Sequence, residues 1–189
     1  EIFKTKPKLK IFVAPPKGKI EKQTYMSWIR SKGFNPVQLD MRYKNLDAPL
    51  LLCGGADIGK NPERDKKELY WIKLAIDCKQ PINQYFGGTV EDLDTIITEY
   101  HSSDEFSEDV DHSGRKSQFH FIKDLDDTLF EVNSRHHQWC SIIADNFKVT
   151  CMSLDGGYIP EAFEDDVLGI IAVQWHPERN ECTEPINLF

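Results

Sequence analysis

Apolar residues recur along the chain in short runs separated by amphipathic stretches. Lys10 to Ala14 (KIFVA) is apolar at successive positions and predicts a short buried strand. From Glu21 to Lys32, Tyr25, Trp28 and Ile29 fall on one face at helical spacing, and Gly33 supplies a stop. Asn35 to Leu39 and Pro49 to Cys53 predict the next strands. Asn61 stands as an N-cap with Pro62 at the first helical position, and a helix to about Cys78 puts Leu69, Ile72, Ala75 and Ile76 on its buried side. Gln118 to Ile122 and Phe147 to Ser153 alternate with period two, Tyr158 to Phe163 is expected to pair nearby, and Leu168 to Val173 reads as a buried strand.

The strand–helix alternation breaks after the second helix. A βαβ pattern requires a buried strand there, and the dipeptide Pro81-Ile82 is the only candidate. Asn83 to Phe86 predicts barely one helical turn before Gly87-Gly88, far short of a stable helix. It reads as the end of a helix whose beginning is absent.

Composition narrows the function classes. A chain of 189 residues with 40% apolar content supports one domain, 1–189, with a full core. A formal charge of −8 argues against nucleic-acid or anionic-membrane partners, which need a basic footprint. No apolar stretch approaches a membrane span, and Glu1 to Lys10 lacks the apolar centre of a signal peptide. Five cysteines, at 53, 78, 140, 151 and 182, show neither metal-like nor disulfide-like spacing, which fits a reducing cytoplasm. The acidic stretch His101 to Lys116 reads as a solvated surface loop.

The most chemically suggestive segment is Val173-Gln174-Trp175-His176-Pro177-Glu178, just past the last apolar run. Proline biases the preceding residue toward extended geometry, where residues i and i+2 share a side. His176 and Glu178 are therefore expected to meet as a base and its orienter, two members of a nucleophile–His–acid triad. Alone, the pair would read as a surface histidine beside a loop carboxylate.

This hexapeptide, with Leu50-Leu51-Leu52-Cys53-Gly54-Gly55-Ala56-Asp57 and Val132-Asn133-Ser134-Arg135-His136-His137-Gln138, resembles the class I glutamine amidotransferase-like family, nearest to its γ-glutamyl hydrolases. The resemblance runs from Lys10 to Glu178. It implies a three-layer, flavodoxin-like α/β fold with a mostly parallel central sheet. It also implies acyl transfer on a small γ-glutamyl amide or glutamine: a cysteine thiolate attacks the γ-carbonyl, a thioester forms, the amine leaves and water releases glutamate. His176 would shuttle the proton, Glu178 would orient it, and Gly55 would donate to the oxyanion. Gly54, Ser134, His136, His137 and Gln138 would line the substrate site. No metal or other cofactor is needed, and a homodimer or a synthetase partner receiving ammonia stays open.

One part of the family pattern is missing. The family carries its nucleophile in a Gly-[Ile/Val]-Cys-Arg-Gly-x-Gln strand and elbow, whereas here Gln80-Pro81-Ile82 runs directly into Asn83-Gln84-Tyr85-Phe86-Gly87-Gly88-Thr89. Both flanks match and the middle does not. Two readings follow, a deletion that leaves a catalytically dead relative, or a molecule with further residues at this point; losing a buried central strand would cost as much as a domain's whole stability, which favours the second, and a gap between Gln80 and Tyr85 with an unfilled slot in the sheet centre is expected. Cys53 and Cys140 lie in site-lining segments by resemblance but lack the elbow context that exposes a nucleophile. Arg64-Asp65 with Glu68 resembles the Arg-Asp-x-x-Glu after the glycine loop, and reads equally as helix-end charges with an i,i+4 pair.

Overall fold

The computed structural model of the chain describes residues 8–16, 18–54, 61–85, 97–102, 119–136, 138–143, 145–154 and 159–179. The parallel half begins with strand β1 (Lys10–Ala14), helix α1 (Lys19–Ser31), strands β2 (Asn35–Gln38) and β3 (Leu50–Leu52), helix α2 (Pro62–Asp77) and strand β4 (Ile82–Tyr85). There follow β5 (Ile97–Ser102), β6 (Phe119–Asp124), β7 (Leu129–Asn133), β8 (Gln138–Ile143), β9 (Lys148–Ser153), β10 (Pro160–Asp165) and β11 (Ile170–Val173). Nine strands form one sheet in the order β2-β1-β3-β4-β11-β10-β9-β6-β7, and β5 pairs with β8 separately.

Local chemistry explains the two helices. Gly33 sits at φ +92°, a left-handed conformation that suits glycine after the last turn of α1. The Asn61 side chain accepts the Arg64 N–H, and Pro62 occupies the first position of α2, where its missing N–H costs nothing. Alternation along β1 sends Ile11 and Val13 to one face, packed with Tyr25, Trp28 and Ile29 of α1. Phe12 and Ala14 go to the other, packed with Trp71, Ile72 and Ala75 of α2. The parallel half is thus covered by a helix on each face.

The sheet centre departs from expectation. Asn83 to Tyr85 is not a helical turn, and the slot is not empty: β4 lies between β3 and β11, parallel to both, with Ile82 level with Leu50 and Ile170. Ile82 N–H donates to the Gly169 carbonyl and Leu50 N–H to the Pro81 carbonyl, each at 2.9 Å. An empty slot would strand the ladder groups of two buried strands, each worth ~1–3 kcal/mol when unsatisfied. That penalty exceeds the weak preference of Asn and Gln against strands.

The sheet is also less parallel than expected. β2, β1, β3, β4 and β11 run parallel, whereas β10, β9, β6 and β7 continue antiparallel. In a flat sheet the four strand steps from β11 to β7 would span roughly 19 Å. Yet the Asn133 amide at the end of β7 bonds the His176 backbone just beyond β11, at 2.9 and 3.0 Å. The antiparallel half therefore curls back on itself, helped by register shifts in the β9–β10 ladder around Ala162. Most of the acidic 101–116 segment lies outside the described residues.

Candidate active site

The site forms where β3 and β11 end. His176 Nδ1 lies 2.8 Å from Glu178 Oε1, with the imidazole one-fifth exposed and the carboxylate almost fully buried. The backbone reaches this contact by a different route from the one expected. Pro177–Arg179 is a single 3-10 turn, closed by Arg179 N–H on the His176 carbonyl, rather than an extended segment. Proline disfavours helical geometry only for the residue before it, and its own φ suits the first position of a turn. With Nδ1–H donated to the carboxylate, the Nε2 lone pair is left available as a base.

Gly54, two residues past β3, lies directly beside this pair. A Cβ placed on it would meet His176 Cε1 at 3.1 Å and the Tyr25 hydroxyl at 3.4 Å, so the absence of a side chain lets the strand end approach the imidazole. Its N–H donates to Tyr25 Oη at 3.1 Å, and that hydroxyl lies 3.5 Å from His176 Nδ1. Burial, and next the Glu178 charge, push the Tyr25 hydroxyl well above its ordinary range, so it stays protonated. Because Tyr25 engages the Gly54 N–H, Gly54 is not the free oxyanion donor. Gly55, the residue expected in that role, lies outside the described residues.

Beneath the imidazole, Asn133 is fully buried; its Nδ2 donates to the His176 carbonyl and its Oδ1 accepts the His176 N–H. Ser134 and His136 follow it in the chain but turn to a neighbouring interior cluster. Ser134 Oγ is 2.7 Å from His120 Nδ1, and His136 Nε2 is 3.5 Å from Glu161 Oε1. His137 and the side chain of Gln138 lie outside the described residues; the backbone of Gln138 opens β8. Arg64 Nε forms the i,i+4 pair with Glu68 at 2.7 Å, and Nη2 donates to the Cys53 carbonyl at 3.0 Å, bracing the end of β3.

Cys53 and Cys151 are held as thiols, and the side chain of Cys140 lies outside the described residues. Burial and then the Glu178 charge push the Cys53 thiol well up, and burial pushes Cys151 up to about 12. Cys78 Sγ donates to Asn45 Oδ1 and accepts the Leu46 N–H.

Tyr25, Asn133, His120 and Glu161 carry no sequence signal that marks them as site residues. Tyr25 has the spacing of an ordinary core position on α1, and Glu161 sits in a plain strand pattern. Asn133 stood inside a motif without a role.

A parallel sheet with helices on both faces, and a histidine–carboxylate pair just past a strand end, define a class I glutamine amidotransferase-like protein. The Peptidase C26 family profile matches residues 56–178, well over half of the chain, and the chain belongs to that family of enzymes. The glutamine amidotransferase-like protein YvdE of Lactococcus lactis is 28% identical over 169 residues, covering 75% of this chain and 70% of that protein. The GMP synthase (glutamine-hydrolysing) of Dictyostelium discoideum is 28% identical over 148 residues, 74% of this chain but 20% of that protein. The fold is shared with a Thermotoga maritima glutamine amidotransferase at TM-score 0.65 and 14% identity, covering 92% of this chain and 77% of that one. A GMP synthase-like protein of Thermoplasma acidophilum gives TM-score 0.67 at 19% identity, covering 95% of this chain and 89% of that one. Among the described residues no helix is long and apolar enough to cross a membrane.

Proposed function

We propose that this chain binds a small γ-glutamyl amide or glutamine at the strand end where Gly54 meets His176, without cleaving it. The carrying observation is an intact His176–Glu178 pair against the β3 end, beside a central strand, Ile82–Tyr85, that carries no cysteine and is followed in sequence by Phe86-Gly87-Gly88. Acyl transfer in this family needs a thiolate placed by the strand next to that histidine, and the buried, protonated Cys53 and Cys151 do not supply one. The retained pair would then serve recognition, His176 as a polar contact to the ligand amide. Gly55, His137 and Gln138 stay candidate contacts of that site by resemblance, whereas Ser134 and His136 turn away from it into the buried cluster with His120 and Glu161.

Titration of the full chain with glutamine and with γ-glutamyl-γ-aminobutyrate by calorimetry, alongside an assay for released amine or ammonia, tests this. Binding without turnover, weakened at least tenfold by His176→Ala, is expected. Turnover abolished by His176→Ala would refute the binding-only reading, and absence of binding to either ligand would refute the substrate class. A second reading, a glutaminase component serving a synthetase, draws on the matched Dictyostelium GMP synthase, of which this chain matches only a fifth. Ammonia release on adding a synthetase partner would favour it.

A further inference from the structure

The curl of the antiparallel half brings together three side chains that are distant in sequence. His120 comes from β6, His136 from the segment between β7 and β8, and Glu161 from β10. Their side chains are 2%, 6% and 0% exposed. His120 Nε2 lies 3.2 Å and His136 Nε2 3.5 Å from the same oxygen, Glu161 Oε1, and one ligand atom from each residue can be chosen so that all lie within 4.8 Å of one another.

We propose that His120, His136 and Glu161 bind one divalent transition-metal ion of the zinc type. Two donors held at ~2.1 Å by a tetrahedral ion stand about 3.4 Å apart, close to the two separations measured against Glu161. Two imidazoles and a carboxylate form a donor set suited to zinc and its neighbours rather than to calcium or magnesium, which prefer all-oxygen shells. Ser134 Oγ, 2.7 Å from His120 Nδ1, gives that ring the outer partner a metal-bound histidine usually has. It engages Nδ1 and leaves Nε2 to face Glu161. A dication also suits this interior, because a buried carboxylate between two imidazoles is stabilised by compensating positive charge.

The ion would tie β6, β10 and the β7–β8 connection together across the curl. Asn133, which grips the His176 backbone, immediately precedes Ser134, so the centre would hold that grip in place without touching a ligand at His176. Metal binding is therefore independent of whether the His176 site binds or hydrolyses γ-glutamyl compounds.

The test uses the full chain, stripped with chelator and then titrated with zinc sulfate by calorimetry and with cobalt chloride by absorption. The expected result is one equivalent of zinc per chain. Cobalt should give the comparatively intense visible d–d bands of a tetrahedral site, without the near-ultraviolet charge-transfer band of thiolate ligation. Glu161→Gln and His120→Gln should each lose the equivalent, and Ser134→Ala should weaken affinity roughly 10–100-fold. No zinc bound by the folded, stripped chain would overturn the assignment, as would full retention in both variants or a thiolate band with cobalt. Where a variant fails to fold, the wild-type cobalt spectrum decides.

Discussion

Replacing Asn133 by alanine removes both side-chain bonds to the His176 backbone, at 2.9 and 3.0 Å, from a residue with no exposed surface. The His176 N–H, left buried without a partner, costs about 1–3 kcal/mol, whereas the carbonyl keeps the Arg179 N–H and loses one bond worth about 0.5–1.5 kcal/mol net. Water could reach part of the site, because the His176 side chain is one-fifth exposed, and that lowers the penalty. The sum is a loss of about 2–4 kcal/mol, a large share of the 5–15 kcal/mol typical of a domain. Asn133→Leu keeps the volume and should lose nearly as much, which separates the polar contribution from a cavity effect. Urea unfolding followed by tryptophan fluorescence and far-ultraviolet circular dichroism at neutral pH measures both variants. Unfolding free energies within about 0.5 kcal/mol of wild type, at unchanged slope, would show that β7 does not hold the His176 segment and that the curl is wrong.

Ile82→Ala, in the strand that fills the sheet centre with its side chain 1% exposed, should cost about 2–5 kcal/mol in the same unfolding assay; a surface-like loss would place residue 82 outside the core. Gly54→Ala should crowd His176 Cε1 and the Tyr25 hydroxyl, costing ~1–3 kcal/mol and weakening glutamine binding by calorimetry, and unchanged binding would remove Gly54 from the site. Asp165 gives a pH test. Burial opposes its charge, but the Leu168 N–H, the Asn146 amide and the Val167 N–H together hold the carboxyl below its ordinary 3.8. A carboxyl lowered by folding stabilises above its unfolded pKa, and that stability fades as pH falls through the folded value. Wild type should therefore lose stability below about pH 4 more steeply than Asp165→Asn, which is itself less stable at neutral pH; parallel acid profiles in thermal melts would contradict this.

Much of the parallel half was legible in the chain because its signals are local. The run at Lys10–Ala14, the helical spacing of Tyr25, Trp28 and Ile29, and the Asn61-Pro62 start of α2 each act within a turn or two of backbone, where caps and periodicity decide. The contact of His176 with Glu178 was local too, spanning two residues, though a 3-10 turn delivers it in place of an extended segment. Tertiary structure alone decided that Ile82–Tyr85 is a strand, because the hydrogen bonds that hold it come from β3 and β11, far away in sequence, and override a polar local composition. The same holds for the curl that sets Asn133 under His176 and gathers His120, His136 and Glu161. Those meetings depend on how successive antiparallel strands twist and bulge, a property of paired strands that no single segment carries.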